Sequence, residues 1–209
     1  MPNWVANRVV IVGSDDAIKR VVEFVKGDES VFDFNKIVPM PETYEKYDTT
    51  NHPDGKGLTV GKTIGIFDET VVTEELIEEY KQATAEQMEK YGVVGWYDWH
   101  RKFWGTKWNA CDAFYDGNSG FLFDTAWSAP IAALKALSRR FPDVEIEFAY
   151  ADEDCSYNTG EGSIKDGRVD ANYYGGNSHD GWRLYFDLHP GMEDEMHRDE
   201  TGQWVWNDD

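Results

Sequence analysis

Phe114-Tyr115-Asp116-Gly117-Asn118-Ser119-Gly120-Phe121-Leu122-Phe123 is the stretch on which the fold turns. The runs Lys107 to Tyr115 and Phe121 to Trp127 flank a block of turn formers, and this pattern predicts an antiparallel hairpin. Downstream, Ser128 is placed to cap a helix in which Ile131, Leu134 and Leu137 face inward. Pro130 sits in its first turn and Pro142 beyond its end. Val144 to Tyr150 then reads as a strand. Upstream, the β-branched run Val5 to Val12 ends at Gly13. Ser14 follows as an N-cap with Asp15 and Asp16 in the first turn, and the stripe Ile18, Val21, Val22, Val25 stops at Gly27. Strand, helix, strand, strand, helix, strand is the split βαβ order. The chain is therefore expected to be α+β with a ferredoxin-like βαββαβ core, an antiparallel four-stranded sheet carrying two helices on one face.

Between the first helix and the hairpin, residues 30–105 read as a large helical insertion. It opens with an extended stretch, Phe32 to Pro41, and continues through a loop at 48–62 rich in Gly, Asp and Thr. Thr73 starts a long helix with Leu76, Ile77, Tyr80, Thr84, Met88 and Tyr91 on one face and glutamates elsewhere, ended by Gly92. After Tyr150 the pattern predicts a glycine-rich hairpin across 157–169, a strand at Trp182 to Leu188, and a tail closing on Trp204 and Trp206. The expected organisation is a core over 1–151 containing the insertion, with an acidic β-rich extension over 152–209 packed on the same domain.

Charge is the unusual bulk property: 40 Asp and Glu stand against 20 Lys and Arg in 209 residues, a net −20. Residues 143–209 hold 18 acidic and 4 basic residues, a net −14, so the carboxyl third carries the excess. Such a surface repels phosphate backbones and anionic membranes and attracts basic proteins, which speaks against direct nucleic-acid or membrane binding. The start, Met-Pro-Asn-Trp, has neither the basic nor the long apolar region of a signal peptide, and no apolar run is long enough to cross a bilayer. Cys111 and Cys155 are too few for a disulfide scaffold. A reduced, cytoplasmic setting in a host cell is expected.

Trp96-Tyr97-Asp98-Trp99-His100-Arg101-Lys102-Phe103-Trp104-Gly105-Thr106-Lys107-Trp108 is the densest unusual segment. Trp96, His100, Trp104, Lys107 and Trp108 are candidates for a ligand pocket, since indole faces beside cations can hold a planar or anionic group. Aromatic stripes at helical spacing are more often core. His52, His100, His179, His189 and His197 follow no metal-binding spacing, although a hairpin could gather His189, Glu193, Glu195 and His197. Asp152-Glu153-Asp154 opens like a calcium loop, but Tyr157 and Ser163 stand where Gly and Glu are required. The glycines form no phosphate-binding signature, and no nucleophile, base and orienting group can be assembled. No catalytic residue, metal or cofactor is assigned.

Several segments in order resemble one known family. Met-Pro-Asn-Trp-Val-Ala-Asn-Arg at 1–8, Ile-Val-Pro-Met-Pro at 37–41, Trp-Gly-Thr-Lys-Trp-Asn-Ala at 104–110, Phe-Asp-Thr-Ala-Trp-Ser-Ala-Pro at 123–130 and Leu-Ser-Arg-Arg-Phe-Pro at 137–142 are similar to the YubB-type ferredoxin-like proteins of phages and conjugative plasmids. The resemblance spans residues 1 to about 165. It implies the fold already derived and a mobile-element origin, and it carries no catalytic residues across.

The leading functional expectation is a non-catalytic accessory protein that occupies a basic, nucleic-acid-binding surface of host defence machinery. Asp152, Glu153, Asp154, Glu193, Asp194 and Glu195 are its candidate partner-binding residues, expected on one continuous acidic surface. The alternatives are a single-stranded nucleic-acid-binding module using the open sheet face and a small-molecule enzyme using the Trp96–Trp108 cluster. Glu145 and Glu147 lie opposite Ile146 and Phe148 on the last core strand, so the open face should show carboxylates rather than aromatics.

Overall fold

Strand β1 (Trp4–Val12) sets the layers of the protein, because its residues alternate strictly: Val5, Asn7, Val9 and Ile11 are buried, while Ala6, Arg8 and Val10 face the other side. The structure is a computed structural model describing residues 2–64, 70–154 and 157–207. After β1 come α1 (Asp15–Val25), α2 (Phe34–Ile37), α3 (Glu42–Lys46), a 3₁₀ turn (Pro53–Gly55), β2 (Thr63–Ile64), β3 (Thr70–Val71), α4 (Glu74–Tyr91) and α5 (Trp96–Phe103). The chain continues through β4 (Cys111–Tyr115), β5 (Gly120–Ala126), α6 (Ile131–Arg140), β6 (Glu145–Asp152), β7 (Thr159–Lys165), β8 (Arg168–Tyr174), α7 (His179–Leu188), β9 (Met196–Arg198) and β10 (Trp204–Trp206). Two units result, one built from residues up to Val38 together with those from Trp104 onward, the other from Pro39–Phe103.

The first unit is an antiparallel sheet in the order β4-β5-β1-β6-β7-β8, six strands where four were expected. Two additions come from the glycine-rich segment after Tyr150. Asp166 (φ +47°) and Gly167 (φ +73°) make the two-residue turn between Lys165 and Arg168, and both adopt the left-handed backbone that such hairpin turns need. Gly162 allows β8 to close on β7: a Cβ there would stand 2.2 Å from the Asp170 carbonyl oxygen. The hairpin thus extends the main sheet rather than forming a separate layer.

Register places Val9 between Phe121 and Phe148, and Asn7 between Phe123 and Tyr150. Phe32 and Phe34 pack on this face through Phe121 and Phe123, and Val21, Val25, Leu134 and Leu137 are fully buried. Asn7 Nδ2, also buried, donates to Thr125 Oγ1 (2.9 Å) and the Val5 carbonyl (2.7 Å), so the polar group inside the core is satisfied. Helix α1 is capped as the sequence predicts, Ser14 Oγ accepting from the Ala17 amide. Helix α6 is not: it starts at Ile131, and Ser128 instead donates its hydroxyl to the Gly105 carbonyl (2.7 Å).

The segment expected as a strand at Trp182 to Leu188 is helix α7. Alternation of Trp182, Leu184, Phe186 and Leu188 suits a strand, but Trp182, Tyr185 and Phe186 also share a helical face. Ser178 decides between them by accepting from the Gly181 amide, with Asp180 in the first turn. Trp182, Tyr185, Met196 and Ala151 form a second small core, with Phe186, Leu188, Met192 and Trp204 packed against it. Helix α7 therefore lies on the opposite side of the sheet from Val9, and Asp187 reaches Arg8 (2.7 Å).

In the second unit α4 runs from its Thr73 cap to Gly92, whose φ of +66° ends it. Its buried face differs from expectation by one position, with Gln87 inside and Met88 exposed. Hydrogen bonding explains the exchange: Gln87 Oε1 accepts from Thr49 Oγ1 (2.7 Å) and the Gly95 amide (3.1 Å), and Nε2 donates to the Thr43 carbonyl (2.9 Å). Trp99 is buried against Tyr44 and Phe103, and the Tyr44 hydroxyl donates to the Val93 carbonyl (2.9 Å). No helix of the described residues is long and apolar enough to cross a membrane.

Candidate protein-binding surface

On the sheet face carrying Arg8, residues repeat at period two along three neighbouring strands. From β6 this face receives Glu145, Glu147 and Ala149, from β7 Glu161 and Ser163, and from β8 Asp170 and Asn172. They line a concave region of about 430 Å³ together with Arg8 and Val10. Glu147 and Asp170 are exposed and Glu145 is half-buried. Arg8 is engaged by Asp187, and Glu161 by Arg183 and the Tyr174 hydroxyl. Among the described residues, no ion pair engages Glu145, Glu147 or Asp170. The concavity, whose lining also includes Phe148, thus gathers the carboxylates of Glu145, Glu147 and Asp170, and such a cluster of negative charge attracts cationic groups and repels phosphates.

Asp152, Glu153 and Asp154 end β6 and have two different environments. Asp152 is buried, accepting from Asn3 Nδ2 (3.3 Å), Asn158 Nδ2 (3.1 Å) and the Asp154 amide (2.8 Å). Its carboxylate shapes the turn and is not presented to solvent, whereas Glu153 and Asp154 are exposed. Glu193, Asp194 and Glu195 are exposed on the turn between α7 and β9. That turn is tied to the end of β10, as Asn207 donates its side-chain amide to the Asp194 carbonyl (2.9 Å) and its backbone N–H to the Glu195 carbonyl (2.9 Å). Ala151 and Met196 sit in one small core, so both acidic runs border it. Glu193 itself lines a depression shared with Arg183 and Arg198, a mixed-charge setting.

The aromatic segment divides between the two units. Trp96 and His100 belong to α5, with His100 buried edge-on against Trp96 (5.4 Å between ring centroids). Trp104 is buried in the sheet unit beside Phe34, its Nε1–H donating to the Val38 carbonyl (2.9 Å). Lys107 Nζ lies 4.7 Å from the Trp108 ring centroid and 4.6 Å from that of Trp127. Cys155 lies outside the described residues. Burial, with help from Asp112 and Asp124, pushes the Cys111 thiol up, away from the reactive thiolate. Among the described residues, no three His, Cys, Asp or Glu side chains come together as metal ligands.

Residues missed by the sequence reading of the site are Glu161 and Asp170. Their signal was alternation with Gly160, Gly162 and Ala171, concealed because glycines replace the apolar residues that normally mark a strand.

Residues 103–188 match the family model described as "Ferredoxin-like domain in Api92-like protein". That stretch carries a ferredoxin-like domain. The match takes in β4 through α7 and so includes all four carboxyl-bearing strand positions of the concave face, Glu145, Glu147, Glu161 and Asp170. Among solved structures, the crystal structure of protein api92 from Yersinia pseudotuberculosis is similar, with 13% identity, a TM-score of 0.47, and coverage of 85% of this chain and 100% of that one. No curated protein matches.

Proposed function

We propose that this is a non-catalytic binding protein whose acidic sheet face occupies a basic, nucleic-acid-binding surface of a partner protein. The observation that carries the reading is the row of Glu145, Glu147 and Asp170 across β6 and β8, engaged by no ion pair among the described residues and gathered in one concavity. Duplex DNA presents one negative charge per about 1.7 Å of axis, and a folded surface dense in carboxylates competes for the same cationic grooves. The net −14 of residues 143–209 steers such a partner over a distance set by the Debye length.

The finer architecture belongs to the same reading. β1, α1, β4, β5, α6 and β6 form the βαββαβ core, the segment around 30–105 is an insertion, and β7 onward is an extension that builds the acidic face. The sequence resemblance to phage and plasmid proteins supports a mobile-element accessory protein acting in the host cytoplasm, with nucleic-acid-handling defence proteins as the target class.

Competition anisotropy tests the function. Labelled duplex DNA is bound to each of a panel of host sequence-nonspecific DNA-binding proteins, and this protein is titrated in. Displacement from at least one member, lost in the Glu145→Gln/Glu147→Gln/Asp170→Asn variant, is expected. Failure to displace DNA from any member at low salt contradicts the proposal.

A further inference from the structure

The six-stranded sheet ends on two edges that are built differently. Strand β4 is short, and its register to β5 shifts between Cys111 and Phe114 around Asp112, whose φ is +49°. Such a bulge breaks the regular spacing that a further strand needs. The opposite edge, β8, runs for 7 residues in unbroken register with β7 and contains no proline. A long regular edge of this kind is a template for another strand.

The hairpin decides which groups of β8 point outward. Lys165 and Arg168 close a two-residue turn, so Arg168, Asp170, Asn172 and Tyr174 exchange backbone hydrogen bonds with β7. The N–H and C=O groups of Val169, Ala171 and Tyr173 therefore point away from the sheet. Among the described residues, no strand pairs with that side and no loop or helix backbone bonds to these three. None of the three carries a charge, and Tyr173 is 62% exposed.

We infer that β8 pairs with β8 of a second copy, antiparallel about a two-fold axis at Ala171. This register uses the whole strand and maps the outward set onto itself: Ala171 meets the partner's Ala171, and Val169 meets the partner's Tyr173, a β-branched and aromatic pair. On the other face Asp170 stands opposite the partner's Asn172 and Arg168 opposite the partner's Tyr174, so no two like charges meet directly. The two concave acidic faces then run on as one surface. The inference goes beyond the proposed binding function and does not rest on it. A single strand edge is a small interface, and each copy carries a net −20. The dimer is accordingly weak and tightens as salt rises, opposite in sign to the binding of a basic partner.

Sedimentation equilibrium of the full chain at up to about 1 mM, at low and high salt, tests the pairing, with amide hydrogen exchange followed on the same samples. Expected are a reversible dimer that tightens with salt and slower exchange of the Val169, Ala171 and Tyr173 amides as concentration rises. Asn172→Lys sets a cation opposite the partner's Asp170 on both sides of the axis and should tighten the dimer several-fold, whereas Asn172→Asp should weaken it several-fold. Gln82→Lys, the same charge change on the exposed side of α4, should stay near the parent. Ala171→Pro removes the outward N–H at the axis but none of the bonds to β7, so the folded variant should be monomeric. A chain that is monomeric at every concentration overturns the inference. So does a dimer of equal affinity in Asn172→Lys and Asn172→Asp, or one that Gln82→Lys tightens as much as Asn172→Lys.

Discussion

Replacing Trp104 by alanine removes an indole that is 4% exposed and packed on Phe34. Truncating a buried aromatic to alanine costs about 3–5 kcal/mol through lost transfer energy and the residual cavity. The Val38 carbonyl, which accepts from Trp104 Nε1 at 2.9 Å, then loses that partner and adds about 1 kcal/mol if water does not replace it. The expected total of about 4–6 kcal/mol is comparable with the whole stability of an ordinary domain, about 5–15 kcal/mol. With a urea dependence of about 2 kcal/mol per M, the unfolding midpoint should fall by about 2–3 M. Trp104→Phe keeps a buried aromatic ring but loses the N–H and part of the indole volume, so it should cost about 1–3 kcal/mol. Urea denaturation followed by far-UV circular dichroism reads both variants. A midpoint for Trp104→Ala within about 0.5 M of the parent, which corresponds to about 1 kcal/mol, would refute the packing described and return Trp104 to the list of ligand-binding candidates.

Asp124 on β5 is half-buried, and its carboxyl is raised chiefly by burial, then by the charge of Asp112, with His189 opposing. A raised native-state value means the native state holds more protons, so stability falls as pH rises through that value; Asp124→Asn should raise the melting temperature at pH 7 and lose the advantage on acidification. A lowered melting temperature at pH 7 would show that Asp124 is needed as an anion. Asp116 behaves in the opposite sense, lowered because Oδ1 accepts from the amides of Asn118, Ser119 and Gly120. Its contribution is present above the ordinary aspartate value and lost as pH falls through the native one, so the deficit of Asp116→Ala should shrink between pH 7 and pH 3 in thermal melts, whereas a pH-independent deficit would contradict the role of the charge. Gly162→Ala places a Cβ against the Asp170 carbonyl and should cost about 1–3 kcal/mol or more in urea titrations, and full stability would mean that β8 is held less closely to β7.

The core elements were legible because their signals are local. Ser14 and its two aspartates, the turn from Asp116 to Gly120, and the alternation of β1 each specify their own geometry within a few residues. The end of the chain was harder because two periods coexist in Trp182 to Leu188, and only the Ser178 cap separates helix from strand. Strands β7 and β8 carry glycine and charge where apolar residues usually announce a sheet, so the hairpin was visible but its place in the main sheet was not. Of the anticipated acidic residues, Asp152 reads from sequence like its neighbours; its burial depends on Asn3, which is 149 positions away. Glu145 and Glu147 were readable as open-face carboxylates from strand alternation alone, while Glu161 and Asp170 needed the sheet order to join them.

Salt dependence of partner binding tests the central claim most directly. For whichever basic protein releases DNA, the dissociation constant is measured across a salt series for the parent and for Glu145→Gln/Glu147→Gln/Asp170→Asn. Competition through the acidic face predicts tight binding at low salt, a steep loss as salt rises, and both weaker affinity and a flatter slope in the variant. Equal affinity and equal slope in the two proteins would contradict the account and leave the carboxylates as a solvated surface.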